Sequence, residues 1–146
     1  MSRDSDLAVM LASQAAASAA TTYLYYPVPT DFRFEGYAWS YQTAEANTDN
    51  TLDFLIEYDS AEDGTFATAL HTNANAVGLL NSSAIGEWNV NFGNAASGGG
   101  AAVAAVPTAA RVAANQSIRV TVITAGTGTV PGINFAIMGK WLQPMV

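Results

Sequence analysis

The chain has 146 residues, of which 50% are hydrophobic and only 12% are charged. This length fits one domain that buries a core without a metal or a disulfide. The absence of cysteine excludes thiolate nucleophiles and cysteine-based zinc sites. Five scattered basic residues against twelve acidic ones give a net charge of −7. Nucleic acid and anionic membranes are therefore not expected as partners, because both attract clustered lysine or arginine.

The N-terminal segment Asp6–Thr22 is rich in alanine and places Leu7, Met10 and Leu11 at helical spacing. Acidic residues just before it suit the positive end of a helix dipole, so a short helix is one interpretation, although it would need tertiary support. A signal peptide is not favoured, because acidic residues follow directly on the basic Arg3. The segment is also too short and too polar to span a membrane.

An aromatic cluster follows, in which Tyr23, Tyr25 and Tyr26 precede two prolines that favour extended backbone. We interpret residues 1–30 as an N-terminal arm or connector and residues 31–146 as the body. Exposed tyrosines on an arm would offer large contact area at low entropic cost. The alternative, that these rings cover one end of the body, is equally consistent with the sequence.

Short segments that predict strands recur through the body. Apolar and polar residues alternate in Phe32–Tyr41, Leu52–Tyr58 and Glu87–Phe92, as is typical of half-buried strands. The alternation in Phe32–Tyr41 changes phase at Gly36, which predicts a β-bulge. Further strands are predicted from Phe66–Leu70, from the short apolar run Val77–Leu80, and from the Ala/Val-rich segments Ala101–Val106 and Ala109–Ala114, which form short edge strands or extended wall.

The last two strands are predicted in Gln116–Trp141, on either side of a Gly/Thr/Pro run. Three glycines and a proline in that run favour a chain reversal, so we expect a β-hairpin there. With about eight strands and no helical pattern in the body, the sequence predicts an all-β fold. We expect an antiparallel β-sandwich of jelly-roll-like type with an N-terminal arm that is partly helical if the Ala-rich segment forms its helix.

No catalytic or metal-binding constellation stands out. His71 is the only histidine, and one histidine among many hydroxyls does not specify a catalytic triad. The carboxylates Asp59, Glu62 and Asp63 are compatible with calcium, but their spacing is not that of an EF-hand and a solvated acidic turn is favoured. The glycine-rich runs lack the lysine of a phosphate loop. The protein is therefore not expected to be an enzyme, and no cofactor is expected.

A second hypothesis is that the tryptophans bind carbohydrate. Trp39, Trp88 and Trp141, with Tyr37 and Tyr41, would form a platform for sugar stacking if they were exposed, as in carbohydrate-binding modules. The alternating positions of the tryptophans favour burial in the core instead.

Several stretches together resemble the small β-sandwich structural proteins of tailed bacteriophages, particularly capsid decoration or cement proteins. The stretches are the Ala-rich arm, FRFEGYAWSYQTA, TLDFLIEYDS and ANQSIRVTVITAGTGTVPGINFAIMGKWL. The likeness spans residues 31–142 and the arm, and it rests on strand sequence rather than on a diagnostic motif.

The resemblance implies a virion protein, commonly trimeric, on the outer surface of the capsid, where it bridges neighbouring major capsid subunits and stabilises the shell. It transfers no active-site residues. As a hypothesis, capsid contact is assigned to Leu7, Met10, Leu11, Tyr23, Tyr25 and Tyr26, and deletion of residues 1–26 is expected to abolish binding while the body stays folded. The alternatives are a phage tail or fibre component and a carbohydrate-binding module with weak glycan binding.

Overall fold

The computed structural model describes residues 7–15, 17–42, 51–73, 89–92, 95–97, 110–130 and 132–142. Ten strands lie in these residues: β1 Leu7–Gln14, β2 Ala17–Pro27, β3 Phe32–Tyr41, β4 Thr51–Tyr58, β5 Thr68–Asn73, β6 Asn89–Phe92, β7 Ala95–Ser97, β8 Ala110–Val112, β9 Ser117–Val130 and β10 Ile133–Trp141.

The strands form two antiparallel sheets, which confirms the all-β sandwich. The six-stranded sheet has the order β1-β10-β3-β6-β7, and β8 also pairs with β3. The four-stranded sheet has the order β2-β9-β4-β5. In the part of the chain that the structure describes, no helix is long and apolar enough to span a membrane.

β9 and β10 are inner strands of different sheets. β9 pairs with β2 on one side and β4 on the other, while β10 pairs with β1 and β3. β1 and β2 follow β10 and β9 from one sheet to the other. Gln14 at the end of β1 is opposite Ile133, and Ala17 at the start of β2 is opposite Val130. We call β1 and β2 together the N-terminal ribbon: β1 runs antiparallel to β10 in one sheet, and β2 runs antiparallel to β9 in the other.

The predicted hairpin in Gln116–Trp141 is wrong, because β9 and β10 belong to different sheets. Each strand buries one face, Ile118 and Val120 from one wall and Phe135 and Ile137 from the other. Alternation is the same whether two strands pair side by side or face each other across a core, so the pattern alone did not distinguish the arrangements.

The short helix considered for Asp6–Thr22 is also wrong for the described residues. β1 covers Leu7–Gln14 and β2 begins at Ala17. Alanine-rich sequence has a high helix propensity, but pairing along β10 and β9 prevails over a weak local preference. The boundary proposed at residue 30 stays a prediction, while the strands on its two sides contribute side chains to one core.

The core lies between the sheets and is dominated by aromatic rings. Phe135 stacks on Tyr37, with centroids 5.6 Å apart, and meets Phe54 edge-on at 4.8 Å. Phe54 lies on β4 and the other two rings lie on β3 and β10, so the contacts join the two sheets. Tyr26 adds a polar link, because its hydroxyl donates a 3.0 Å hydrogen bond to the carbonyl oxygen of Phe135. Burial raises the pKa of Tyr26, which keeps the phenol protonated as a donor.

The change of phase at Gly36 is a bulge, as predicted. Met138 is opposite Gly36, whereas Gly139 is opposite Phe34, so Glu35 is the extra residue on β3. The bulge allows Phe34 before it and Tyr37 after it to enter the same core.

One end of the sandwich is closed by Asp31. Its carboxylate pairs with Arg111 and accepts a 2.9 Å hydrogen bond from the backbone N–H of Ala114. The hydrogen bond from Arg111 lowers the pKa of the Asp31 carboxyl. Asn115, at φ 70°, turns the chain between β8 and β9 and donates its N–H to the carbonyl of Val28 at 2.8 Å.

The predicted strands at Phe32–Tyr41 and Leu52–Tyr58 are confirmed, and β5, β6 and β8 overlap three shorter predictions. Val77–Leu80, Ala101–Val106 and the first two residues of Glu87–Phe92 lie outside the described residues.

Replacing Tyr26 with phenylalanine removes the hydrogen bond that joins β2 to β10. We expect the Tyr26→Phe variant to lose about 1 kcal/mol of unfolding free energy, the usual net value of a buried hydrogen bond, in urea denaturation. Tyr25→Phe, at an exposed position on the same strand, is the matched control and should change stability by less than about 0.5 kcal/mol. Equal stability of the two variants would contradict the role given to the Tyr26 hydroxyl.

Gly139 lies at the bulge, where a side chain has no room. A Cβ added there would overlap the carbonyl oxygen of Arg33 and the ring of Phe32. Gly139→Ala should therefore destabilise the fold by about 1–3 kcal/mol in thermal or urea unfolding. Lys140→Ala, at the neighbouring half-exposed position, should cost clearly less, and a Gly139→Ala protein as stable as the unmodified chain would refute the close approach.

Candidate functional site

Large hydrophobic side chains are exposed on both outer faces of the sandwich. Val9 and Leu11 project from β1, at the edge of the six-stranded sheet, and Leu11 is 67% exposed. Tyr23 and Tyr25 project from β2, at the edge of the four-stranded sheet, and are 48% and 57% exposed. Ile123 on β9 is 39% exposed. Such positions are the candidate contact surfaces, because exposed apolar patches commonly mark interaction sites.

Strand alternation explains why these residues face outward. On β2, Leu24 and Tyr26 enter the core, so Tyr23 and Tyr25 face the opposite way. On β1, Met10 packs against the core, so its neighbours Val9 and Leu11 face outward.

The outer face of the four-stranded sheet carries a compact cluster of aromatic rings around one arginine. Tyr23, Tyr25, Phe66 and Arg119 form this cluster, which we call the aromatic face. The guanidinium carbon of Arg119 lies 5.0 Å from the ring centroid of Tyr23 and 4.6 Å from that of Phe66. Both distances lie within the range of cation–π attraction. Tyr25 meets Phe66 edge-on at 5.7 Å and lies 6.4 Å from Tyr23.

An ion pair fixes the arginine of the aromatic face. Nη2 of Arg119 donates a 2.8 Å hydrogen bond to Oε2 of Glu57, which is directly opposite on β4. The hydrogen bond to Glu57 raises the pKa of the Arg119 guanidinium. Because the guanidinium is held by a carboxylate and two rings, it acts as a fixed platform for the tyrosines.

Two polar atoms beneath the aromatic face have no hydrogen-bond partner within the described residues. They are Nε of Arg119 and Oγ1 of Thr121. Thr121 is opposite Tyr23 in the β2–β9 register and is only 6% exposed. Unpaired buried polar atoms are costly, so an acceptor that reached either atom would bind favourably.

An acidic turn precedes Phe66 in the chain. Oδ1 and Oδ2 of Asp59 accept hydrogen bonds from the backbone N–H groups of Asp63 and Gly64, at 3.2 and 2.7 Å. This carboxylate closes the turn, and Gly64 adopts φ 85° within it. Glu62 and Asp63 remain at the surface, three to four residues before Phe66.

The outer face of the six-stranded sheet carries an apolar patch without aromatic rings among its described side chains. Leu11 is opposite Ala136, and Val9 is opposite Met138. Ala136 and Met138 form a small buried cluster with Ala38, on the side of the sheet that faces away from the main core. We call Val9, Leu11 and this cluster the apolar face.

The residues assigned to capsid contact are divided by the structure. Leu11 lies on the apolar face, Tyr23 and Tyr25 lie on the aromatic face, and Met10 faces the core. Tyr26 is 2% exposed and belongs to the core, so its side chain is not available to a partner in this fold. Leu7 pairs with Lys140 through the backbone, and its side chain lies outside the described part.

The other candidates from the sequence take structural positions where they are described. Trp39, Tyr37 and Tyr41 are buried, so they do not form a sugar-stacking platform. Trp141 packs on Phe32, with centroids 4.9 Å apart. Trp88 and the side chain of His71 lie outside the described residues. No group of three or more potential metal ligands occurs among the side chains that the structure describes.

Sequence analysis missed Arg119, Phe66, Val9 and Ile123. The alternation of Ile118, Val120 and Val122 already placed Arg119 on the outer side of its strand. Arg119 lies beside Tyr25 and Glu57 because β9 pairs with β2 and with β4, and local sequence patterns do not specify which strands pair.

No protein-family model matches the chain, and a search of the curated proteins finds no match. Among solved structures, the VP2 subviral particle of infectious bursal disease virus aligns at 16% identity and a TM-score of 0.45, over 93% of this chain and 34% of that one. Tobacco necrosis virus aligns at 8% identity and a TM-score of 0.33, over 97% and 98%.

A CocE/NonD family hydrolase from Staphylococcus aureus aligns at 9% identity and a TM-score of 0.39, over 92% of this chain and 33% of that one. The chain thus spans about a third of the length of the VP2 and hydrolase chains. Viral proteins and an enzyme align at similar scores, so these similarities assign no function.

The ion pair beneath the tyrosines should contribute more to stability than an exposed pair. The side chains of Arg119 and Glu57 are 22% and 13% exposed. We expect Arg119→Met to lower the unfolding free energy by about 1–2 kcal/mol, because it leaves Glu57 poorly solvated and unpaired. Arg111→Met removes a more exposed partner, of which 66% is accessible, and should cost less than about 1 kcal/mol.

Adding Glu57→Gln to Arg119→Met should recover part of the loss, since no unpaired charge then remains. Urea denaturation of the single and double variants gives the coupling between the two residues. A coupling near zero would show that the pair does not hold the aromatic face.

Proposed function

We propose that this protein is a structural virion protein that decorates the outside of a bacteriophage capsid and stabilises it by bridging neighbouring major capsid subunits. Two lines support the proposal. The strand sequences resemble those of capsid decoration proteins, and the β-sandwich fold that this resemblance implies is the fold that the chain adopts.

The observation that carries the proposal is that large hydrophobic side chains are exposed on both outer faces of one sandwich. Leu11 and Val9 project from one sheet, and Tyr23, Tyr25 and Ile123 project from the other. A bridge between two subunits requires two contact surfaces held at a fixed separation. The shared core fixes the two faces relative to each other, because the same ribbon contributes a strand to each sheet.

Symmetry makes modest contacts sufficient for this role. A shell presents the same subunit contacts many times, and a trimer that engages several of them gains avidity over any single contact. Assembly of this protein as a homotrimer, with the major capsid protein as its partner, is part of the proposal. Sedimentation of the purified chain alone and with capsid shells tests the stoichiometry.

Point variants test the contact surfaces better than truncation does. Deletion of residues 1–26 would remove β1, nearly all of β2 and the buried residues Leu24 and Tyr26, so it would disrupt the core as well as the surfaces. Loss of binding by such a truncation would then report loss of folding.

Serine substitutions at Leu11 and at Tyr25 should each weaken binding to capsid shells that lack this protein. We expect at least about a tenfold loss of apparent affinity for each, measured by co-sedimentation, because exposed anchors commonly carry more than 1 kcal/mol. Ser13→Ala and Thr21→Ala, at exposed polar positions on the same two strands, are the controls.

Unchanged shell binding by both serine variants, with normal unfolding curves, would overturn the assignment of these faces. Imaging of intact particles separates the alternatives, since a decoration protein occupies symmetry-related positions on the head and a tail or fibre component does not.

A further inference from the structure

We propose that the aromatic face binds a protein surface that presents a lysine or arginine side chain among apolar residues. The inference deepens the proposed function, because it states the chemistry of the partner at one of the two faces. It rests on that function only for the identity of the partner as a capsid subunit.

The residue types of the aromatic face are those that dominate binding energies. Tyrosine, tryptophan and arginine are enriched at interface positions whose truncation is costly. Tyr23 and Tyr25 are about half exposed, although a ring of that size is usually more buried in a monomer. Arg119 and Glu57 hold the cluster in place, so little side-chain entropy is lost when a partner docks.

The charges around this face favour a cationic partner. Three of the five basic residues form ion pairs within the described residues: Arg33 with Glu35, Arg111 with Asp31, and Arg119 with Glu57. Glu62 and Asp63, in the turn that leads to Phe66, are exposed and form no ion pair within that part. The turn that leads to Phe66 therefore carries unpaired negative charge, which a partner cation would complement.

The rings also leave a place for that cation. Arg119 occupies positions over Tyr23 and Phe66, whereas no cation of the described residues lies over the ring of Tyr25. Tyr25 is the more exposed of the two tyrosines and the one that contacts Phe66, the residue that follows the acidic turn in the chain. A partner lysine or arginine over Tyr25 would gain cation–π attraction and approach Glu62 and Asp63 together.

Buried polar atoms provide a further reason for a protein partner. Nε of Arg119 and Oγ1 of Thr121 are buried without a hydrogen-bond partner in the described part, and Thr121 is opposite Tyr23 in the β2–β9 register. A backbone carbonyl of the partner that reached either atom would accept its hydrogen. Flat apolar stacking alone would not satisfy them.

The test uses the full chain and pairs of short synthetic peptides. In one peptide of each pair a central lysine or arginine is flanked by leucines, and in the other the central residue is glutamate. Isothermal titration should show binding of the basic peptides, with an affinity at least about tenfold higher than that of the glutamate peptides. The difference should shrink in high salt, because Glu62 and Asp63 are exposed.

Variants locate the binding. Tyr25→Ala should reduce the affinity for the basic peptides about tenfold, and the pair Glu62→Gln with Asp63→Asn should reduce it several-fold. Asparagine at 63 retains the oxygen that accepts the N–H of Thr65, so the turn is kept. Ser13→Ala, at an exposed polar position on β1 in the other sheet, is the matched control and should leave peptide binding unchanged.

Two results would overturn the inference. One is equal binding of the basic and the glutamate peptides. The other is basic-peptide binding that survives Tyr25→Ala, which would show attraction to net negative charge alone. Retention on a glycan array that is lost in Tyr25→Ala, without peptide binding, would assign the face to sugars instead.

The outcomes also separate this inference from the proposed function. Shell binding that depends on Tyr25, without preference for basic peptides, removes the inference and leaves the decoration role. A clear preference for basic peptides by a protein that does not bind shells removes the decoration role and leaves the chemistry of the aromatic face.

Discussion

Hydrogen bonding along β9 and β10 positions the N-terminal strands in both sheets, because each is an inner strand of its sheet and the neighbour of an edge strand. Each has a neighbour on both sides, so the backbone N–H and C=O groups of β9 and β10 are used in two ladders rather than one. The N-terminal ribbon follows β10 and β9 from one sheet into the other. Disturbing β9 and β10 would therefore weaken both sheets, and each outer face depends on them for its position.

The position of the exposed residues follows from this arrangement. β1 and β2 lie at the edges of their sheets and bury only one side each. Their inward residues, such as Met10 and Leu24, hold them to the core, and the alternation of the strand then places Leu11 and Tyr23 outside. Residues that look like a mobile arm in the sequence are in this way attached to a rigid support. A rigid surface loses less conformational entropy on binding than a flexible arm, which favours weak contacts that are repeated by symmetry.

Local patterns predicted most strands of the body and their inward faces, but they predicted neither β1 and β2 nor the pairing of distant segments. The phase change at Gly36 indicated the bulge, because an extra residue inverts the alternation at that point. The hairpin in Gln116–Trp141 failed, because an apolar face looks the same on either wall of a sandwich. The helix near Leu7 failed because alanine has a high helix propensity in isolation. The aromatic face was only half predicted: the tyrosines stand out in the sequence, but Arg119 and Phe66 join them only through the fold.

The two edge strands expose different side chains: β1 exposes Val9 and Leu11, whereas β2 exposes Tyr23 and Tyr25. On a chain with few ionic groups, exposed leucine or valine at a sheet edge favours association with other chains more than tyrosine does. A tyrosine offers a comparable contact area and keeps a hydroxyl that water can solvate. The Arg119–Glu57 pair adds two charges beneath the rings without changing the net charge. The free protein thereby keeps a hydrated surface, and the same rings remain able to lose their water when a complementary surface covers them.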